Sequence, residues 1–416
     1  MELYKSKKII ILTNLSFPVG LAGTNRILSY CRGFLYHGFR PEVWCVRPTE
    51  TYKNIFNSSV KGNFNGVDFC YLGGTTIRVA SFWGRRINDF LAFFHTLQRI
   101  LFHLRRNEVA FVVFYGNYPF TELSCIFLTR LFKKKIFKEE SENPNIYFSQ
   151  RNSIVGLIIK RFTINTLYRY YSGLFIMTHP LREFFLKKSI PDRNILIVPQ
   201  TVDIERFEKK TDEFDKPFPY EYIAYIGSLN QQKDGVLTLT ESFSEVSARF
   251  PLMHLAIAGD GSQQEINLLS ALIMQLNLNN KVHYIGRISS DKIPFFLHGA
   301  KLLASCRPRS MQSDFGFPTK VVEYLASGKP VVTTVTGELA FYLKDKVNAF
   351  IATTADASAF SLKIIEVLQD YDFAMKVAQN GKELVREKFN PIVQTKKIID
   401  YVKYSNELHE KNKSSH

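Results

Sequence analysis

The chain has 416 residues, 45% hydrophobic and 22% charged, which excludes a disordered chain and suggests two globular domains of ordinary size. Its net charge of +16 is one-sided: residues 1–200 hold 28 Lys and Arg against 12 Asp and Glu, while the rest of the chain balances. That surplus predicts an anionic partner for the first half: a membrane surface, a phosphorylated acceptor or nucleic acid. Cys31, Cys45, Cys70, Cys125 and Cys306 are scattered without C-x-x-C spacing, as expected of reduced, buried thiols in a cytoplasmic protein. No segment offers the roughly 18 unbroken apolar residues of a membrane span. The run after Lys5, Lys7 and Lys8 breaks at Thr13-Asn14, so it reads as a first strand and not a signal peptide.

In chain order, Lys8–Thr13 predicts a buried strand, followed by a glycine-bearing loop (Gly20, Gly23), a helix to about His37, and a second strand over Glu42–Val46. This order opens a doubly wound domain. The loop suits close backbone approach to a phosphate or sugar, with Arg26 as an anion contact, or else a plain turn. Further strands are expected at Ala110–Phe114, Lys135–Lys138, Gly173–Met177 and Ile195–Val198. Between them lie two aromatic, basic helical stretches. Ile77–Arg106 carries Trp83, Arg85, Arg86, Phe90, Phe93, Phe94, Arg105 and Arg106, and Ile154–Tyr171 carries Lys160, Arg161, Phe162, Tyr168 and Arg169. Helical spacing predicts that the aromatics face a core, and their pairing with arginine also suits an anionic lipid surface.

A linker is expected through Lys216-Pro217-Phe218-Pro219. A second α/β unit follows: strand Ile223–Ile226, helix Gly235–Arg249, strand His254–Ala258, helix Glu265–Leu276, strand Val282–Ile285, helix Asp291–His298 and strand Lys301–Ala304. Then comes a polar loop through Asp314, Phe315 and Gly316, a helix from Pro318 to Gly328, and the strand Pro330–Thr334. The free N–H groups of a helix starting at Pro318 make an anion site. Glu323, one turn further in, repels an anion but can accept hydrogen bonds from hydroxyls such as those of a ribose. A helix is expected from Pro391 to Tyr404, with a frayed tail over 407–416.

The segment from Asp314 to Val332 resembles the donor-site signature of glycosyltransferase family 4. That family is one of retaining enzymes with the GT-B fold: two Rossmann-like doubly wound domains facing across a cleft. Glu323 matches the family's second glutamate, and Phe315 stands where the first would fall. Pro318, Lys320, Glu323 and Tyr324 match a "Pro-x-Lys-x-x-Glu-Tyr" branch of the family. Gly227–Gly235 resembles its "Gly-Arg-Leu-x-x-x-Lys-Gly" segment, with Lys233 kept and Ser228 in place of the arginine. One charge at the donor diphosphate is therefore missing, and Arg26, Arg287 and Lys320 are the candidates to supply it. Gly259-Asp260-Gly261 resembles a "Gly-Asp-Gly-Pro" turn, and Val282–Arg287 a "Val-x-Phe-x-Gly" strand after which Arg287 and Ile288 would seat the base. Pro199–Phe207 resembles the segment joining the family's two halves.

The resemblance implies an acceptor-binding domain over 1–200, a nucleotide-sugar domain over 201–390, and a terminal helix over 391–416 that commonly crosses back to the first domain. It implies a donor site from Gly20, Gly23, Arg26, Ser228, Lys233, Gly259, Gly261, Arg287, Ile288, Phe315, Gly316, Thr319 and Glu323. Lys233, Glu323 and Asn117 would stand nearest the chemistry, Asn117 where relatives often carry a histidine. Glu140, Glu142 and Asn143 are further candidates in a strand-end loop. No cofactor is expected beyond a UDP- or GDP-linked sugar as donor substrate. No metal is expected either, because Asp370-Tyr371-Asp372 lies far from the phosphate motifs. The implied partner is a lipid-linked saccharide acceptor at the inner face of the cytoplasmic membrane, with no nucleic acid. A nucleotide-sugar epimerase of the same fold, or a non-enzymatic protein binding an anionic polymer, are the rival readings.

Overall fold

The computed structural model describes residues 7–145, 154–208 and 217–414, which form two compact units. The first takes in residues up to Thr201 together with Pro391 onward, and the second is Val202–Asn390.

The first unit is built on β1 (Lys8–Thr13), β2 (Arg40–Cys45), β3 (Lys61–Phe64), β4 (Val67–Tyr71), β5 (Val109–Tyr115), β6 (Lys135–Glu140), β7 (Gly173–Ile176) and β8 (Ile195–Ile197). They lie in the order β3-β4-β2-β1-β5-β6-β7-β8, all parallel except the β3–β4 pair. The near-continuous apolar runs of β1 and β5 suit strands covered on both faces. Helices α1 (Ala22–Tyr36), α2 (Phe82–Arg105), α3 (Pro119–Leu131), α4 (Ile154–Asn165) and α5 (His179–Lys187) link the strands. The long stretch expected from Ile77 becomes helical only at Phe82, where the Ser81 side chain accepts a hydrogen bond from Gly84 N–H at 3.0 Å. The second expected stretch ends as a helix at Asn165, followed by a 3₁₀ turn over Leu167–Tyr170.

Right-handed crossovers put α2, α3 and α4 on one face of this sheet, and α1 on the other, because α1 connects strands in the opposite direction. The expected core-facing aromatics of α2 do not face a core. Its buried positions are Ala92, Thr96, Ile100, His103 and Leu104, while Trp83, Ile87, Phe90, Leu91 and Phe94 are exposed. Phe120, Leu123, Phe127 and Leu131 make a second exposed stripe on α3, and Ile154, Leu157 and Ile158 a third on α4.

The second unit's strands are β9 (Tyr222–Ser228), β10 (His254–Asp260), β11 (Val282–Gly286), β12 (Leu302–Ser305), β13 (Val331–Thr334) and β14 (Phe350–Ala352). All are parallel, in the order β11-β10-β9-β12-β13-β14. Its helices are α6 (Gln231–Asp234), α7 (Val236–Arg249), α8 (Gln263–Gln275), α9 (Ile293–Gly299), α10 (Met311–Phe315), α11 (Thr319–Ser327), α12 (Ala357–Gln369) and α13 (Tyr371–Lys388). The expected loop before Gly316 is instead the short helix α10. Helix α11 ends where Gly328 turns left-handed at φ 72°, a conformation that favours glycine. Asp370 caps α13 by accepting from Phe373 N–H at 3.1 Å. Of the expected linker, residues 209–216 lie outside the described residues.

The C-terminal helix α14 runs from Pro391 to Ser414, so the tail expected to fray continues as helix. It packs on α1: a Cβ on Gly33 would strike the Thr395 hydroxyl, and His37 Nε2 lies 2.9 Å from the Ile392 carbonyl oxygen. Ile398 and Val402 join Ile27, Cys31 and Phe34 in one apolar cluster.

Two internal cations order the first unit. Arg26 is fully buried, with Nε 2.6 Å from Glu139 Oε1, Nη1 donating to the Pro199 carbonyl at 2.9 Å and Nη2 to Val198 at 2.6 Å. Tyr30 donates to the other Glu139 oxygen at 2.9 Å. Arg26 therefore cannot be the anion contact expected of it, since every arm of its fork is already engaged inside the unit. Lys138 is likewise enclosed, 2.9 Å from Glu122 and 3.7 Å from Glu140. Arg26→Met would leave the Glu139 carboxyl buried without its cation. Removing one partner of such a pair costs about 3–5 kcal/mol. Urea unfolding of the variant should show a loss of that size, and adding Glu139→Gln should recover much of it; an unchanged midpoint would contradict this account.

Candidate functional site

In the second unit the chain builds outward from β9 through β10 to β11, then returns to place β12 on the other side of β9. At such a reversal the connections leave in opposite directions and a crevice opens beyond the strand ends. Gly227 and Ser228 stand at the end of β9, Gly259 at the end of β10, and Cys306-Arg307 just after β12. Gly227 and Gly259 are direct partners across the β9–β10 ladder. Gly259 has φ 140°, and a Cβ there would overlap the Gly227 carbonyl oxygen, so only glycine lets these two backbones approach. A Cβ on Gly227 would sit on the Lys320 ammonium. Gly261 lies against the Leu229 side chain.

Lys320, on the first turn of α11, reaches this glycine pair. Its Nζ is 2.8 Å from Asp234 Oδ1 and donates to the Tyr225 hydroxyl at 3.1 Å, which in turn donates to the Ser228 carbonyl at 2.6 Å. Burial pushes the ammonium down to about 8, against the pull of Asp234, with Arg307 and Lys233 pushing the same way as burial. Arg307 is buried too, and its Nε has no hydrogen-bond partner among the described residues. Burial lowers it below its ordinary value, opposed by Asp234, Asp314 and Tyr225. The loop is pressed onto Gly235, whose left-handed φ of 69° lets the Cys306 carbonyl approach where a side chain would stand.

Lys233, the third residue of α6, has an exposed side chain, while its N–H donates to Asn230 Oδ1 at 2.9 Å. The Ser228 hydroxyl accepts from Asn230 N–H at 3.1 Å. Of the three residues considered for the missing charge, Lys320 alone stands here. Arg26 is locked in the first unit's core. Arg287 lies 3.6 Å from Asp260 in an exposed pair at the ends of β11 and β10, with Ile288 next to it in the following loop.

Pro318 occupies the position before α11, so the helix proper starts at Thr319, and no side chain caps its first turn. Glu323, one turn in, keeps 26% of its side chain exposed and sits 3.7 Å from Arg206 Nη1. Burial raises its carboxyl above the usual range, with Arg206 pulling the other way. Arg206 is itself held by the Ser290 carbonyl at 2.6 Å. Tyr324 fixes the helix to the crevice, its hydroxyl accepting from Ile226 N–H at 2.8 Å beyond the point where β12 stops pairing with β9. Phe315 and Gly316, half-buried, connect α10 to α11. Sequence reasoning missed Arg307, Asp234 and Arg206. Asp234, next to Lys233, was the one most open to notice.

In the first unit the strand order reverses between β1 and β5. Asn117 follows β5 with its Oδ1 buried and unpartnered among the described residues, and a Cβ on the preceding Gly116 would strike the Asn14 side chain. The Gly20 loop is clamped by Asn57, which accepts from Val19 N–H and donates to the Val19 carbonyl, both at 2.8 Å. Gly23 packs on Leu15. Glu140 does not line a loop: it is buried, accepts from Tyr168 at 2.6 Å, and is pushed up to about 7 by burial, which Lys138 opposes. Asn143 is buried and accepts from Asn145 N–H at 3.0 Å, whereas Glu142 is exposed.

Residues 206–384 match the family described as Glycosyl transferases group 1. The chain has the GT-B fold, and its second unit matches the group 1 glycosyl transferases. Among curated proteins, an uncharacterized glycosyltransferase of Methanocaldococcus jannaschii is 26% identical over 186 residues, 45% of each chain. The lipopolysaccharide core biosynthesis glycosyltransferase LpsE of Rhizobium meliloti is 25% identical over 178 residues, 43% of this chain and 48% of that one. The chain thus spans about half the length of the curated relatives it matches. Among solved structures, a glycosyltransferase from Rickettsia africae superposes with a TM-score of 0.66 at 18% identity, covering 97% of this chain and 99% of that one. Anabaena HepE, solved with UDP and glucose, gives 0.64 at 15% identity, covering 95% and 99%.

Proposed function

We propose that this protein moves a sugar, with retention, from a nucleoside-diphosphate sugar to an acceptor hydroxyl. The observation that carries this reading is Glu323, a half-shielded carboxylate one turn inside an uncapped helix start, beside buried cations at a strand-order reversal. Such a carboxylate accepts from the ribose hydroxyls while the phosphates lie toward the helix start and the lysines. In the reaction the bond from the sugar's anomeric carbon to the diphosphate breaks and a bond to the acceptor oxygen forms. The acceptor proton passes to the departing diphosphate on the same face, so no side-chain base is required. Lys233 and the first turn of α11 stabilise the charge that grows on the leaving group. Relatives support the donor class, since HepE was solved with UDP and glucose.

Kinetics separate the two roles. Glu323→Gln should weaken both nucleoside diphosphate and intact donor by about 1.5–3 kcal/mol, the worth of a charged hydrogen bond. Lys233→Ala should reduce turnover more than donor affinity, because its ligand's charge increases in the transition state. Near-wild-type constants for both variants would refute the site. Full activity should survive EDTA, because no cluster of three or more His, Cys, Asp or Glu able to hold a metal occurs among the described residues; strict dependence on Mg²⁺ or Mn²⁺ would count against it.

The acceptor is proposed to be a lipid-linked saccharide, reached at the cytoplasmic face of a membrane. Among the described residues no helix is long and apolar enough to cross one. The first unit instead offers the three exposed stripes of α2, α3 and α4, with Trp83 76% and Phe120 77% exposed, interleaved with Arg85, Arg86, Arg130 and Lys160. Cations draw the unit to anionic lipid, at roughly 1 kcal/mol per residue near the surface, and the aromatic stripes bury in the headgroup boundary. Purified protein should pellet with anionic vesicles and stay partly bound at about 0.5 M salt, where the charge term is screened within a few ångströms. Replacing Trp83, Phe120 and Phe127 with serine should make that binding fully salt-releasable. Equal salt resistance in the variant would remove the stripes from the membrane contact.

A further inference from the structure

We infer that Lys320, paired with Asp234, and the neighbouring Arg307 form the diphosphate clamp of the second unit and replace the charge lost at Ser228. The inference rests on the donor-site reading above: it singles out Lys320 from the three candidates for the missing charge and adds Arg307, which the family resemblance does not place there.

Lys320 has three N–H donors, of which two are engaged among the described residues, by Asp234 and Tyr225. Arg307 keeps a buried Nε unpartnered among the described residues, an orphan that usually marks a missing ligand atom. Both cations are shielded from water, yet among the described residues Asp234 is the only carboxylate bonded to Lys320, and Asp314, whose charge acts on Arg307, lies 3.5 Å from Arg309. Adding the exposed Lys233, the cluster carries positive charge in excess of what its own carboxylates neutralise. Desolvated charge of one sign is costly unless a counter-charge arrives. At the strand ends beside the cluster, a Cβ at Gly227 would collide with the Lys320 ammonium and one at Gly259 with the Gly227 carbonyl oxygen, so the two glycines are what let the lysine lie against the strand end. A dianionic or trianionic diphosphate fits these needs: it brings the counter-charge and accepts several hydrogen bonds. Serine at 228 is consistent with this geometry, because a longer basic residue there would crowd a third cation into the same small volume.

The lowered value of Lys320 makes the proposal visible in solution. Only the ammonium donates to phosphate, so affinity should hold below pH 8 and fall as pH rises from 8 to 9.5. Ligand binding raises the lysine back toward its ordinary value, so binding at pH 8.5 takes up a proton.

The test uses titration calorimetry on the full chain with UDP, GDP, inorganic pyrophosphate, and uridine or guanosine. Lys320→Met alone strands Asp234, so the double variant Asp234→Asn/Lys320→Met and the single variant Arg307→Gln are included. Each should bind the preferred nucleoside diphosphate about tenfold to a hundredfold more weakly, as expected for a lost charged hydrogen bond, with nucleoside affinity unchanged. The wild type should show a heat at pH 8.5 that varies with the buffer's ionisation enthalpy, and the double variant should not. Adding Ser228→Arg to the double variant should recover part of the diphosphate affinity. A folded double variant that binds diphosphates like the wild type, with the same proton uptake, overturns the clamp while leaving the donor site standing. A wild type that binds no nucleoside diphosphate and no pyrophosphate overturns both.

Discussion

Asp234 decides how the second unit's charge is arranged. It ends a four-residue helix, presents its carboxylate to Lys320 at 2.8 Å, and is followed by Gly235, which lets the loop carrying Arg307 close against the backbone. Without it, the shielded Lys320 would lose its carboxylate partner while Arg307 and Lys233 still repelled it. One carboxylate is too small a charge to neutralise more than one of these cations. The strand reversal, the glycine pair and the uncapped helix start all converge on this incomplete neutralisation.

The first unit contains the same ingredients with the opposite balance. Arg26 meets Glu139 and two carbonyls, and Lys138 meets both Glu122 and Glu140. Each of the three nitrogens of the Arg26 fork is bonded within the unit, and burial drives Glu140 to about 7, so that part of its charge is given up where cations are too few. Such pairs hold strands and helices in place and have no capacity left for a ligand. An unpartnered nitrogen thus sets Arg307 apart from Arg26, whose three nitrogens are all bonded, and a single carboxylate partner among the described residues sets Lys320 apart from Lys138, which has two.

Legibility in the sequence followed distance along the chain. The helix from Thr319 to Gly328 was readable because proline, apolar spacing and glycine are all local signals. Most of the parallel strands were readable from their apolar runs, but β14 (Phe350–Ala352), only three residues long, was not anticipated. The β3–β4 hairpin was overlooked although Asn65-Gly66, both with positive φ, is a strong turn signal, because Lys61–Phe64 has no apolar alternation. Arg26 was misread because its partner is 113 residues away, and a glycine loop nearby suggested a ligand instead. Arg307 drew no notice because its importance depends on Gly235 and Asp234, some seventy positions earlier, which no local pattern links to it.

Helix α2 shows where periodicity stops being informative. An amphipathic pattern says that one face will be buried, but not by what. The aromatic stripe suggested the core, yet the sheet is met by Ala92, Thr96, Ile100 and Leu104, whose smaller side chains let the helix lie close. Leaving a large apolar side chain in water forgoes about 1.5–3 kcal/mol of burial. A single exposed aromatic is ordinary, but three helices on one face of a sheet each carry a stripe of exposed apolar side chains, more than scattered surface residues would give. The arginines and lysines among those stripes argue against a second apolar protein face and for an apolar phase with an anionic rim. The chemistry proposed for the second unit, transfer to a lipid-carried hydroxyl, is the one that gives such a surface a use.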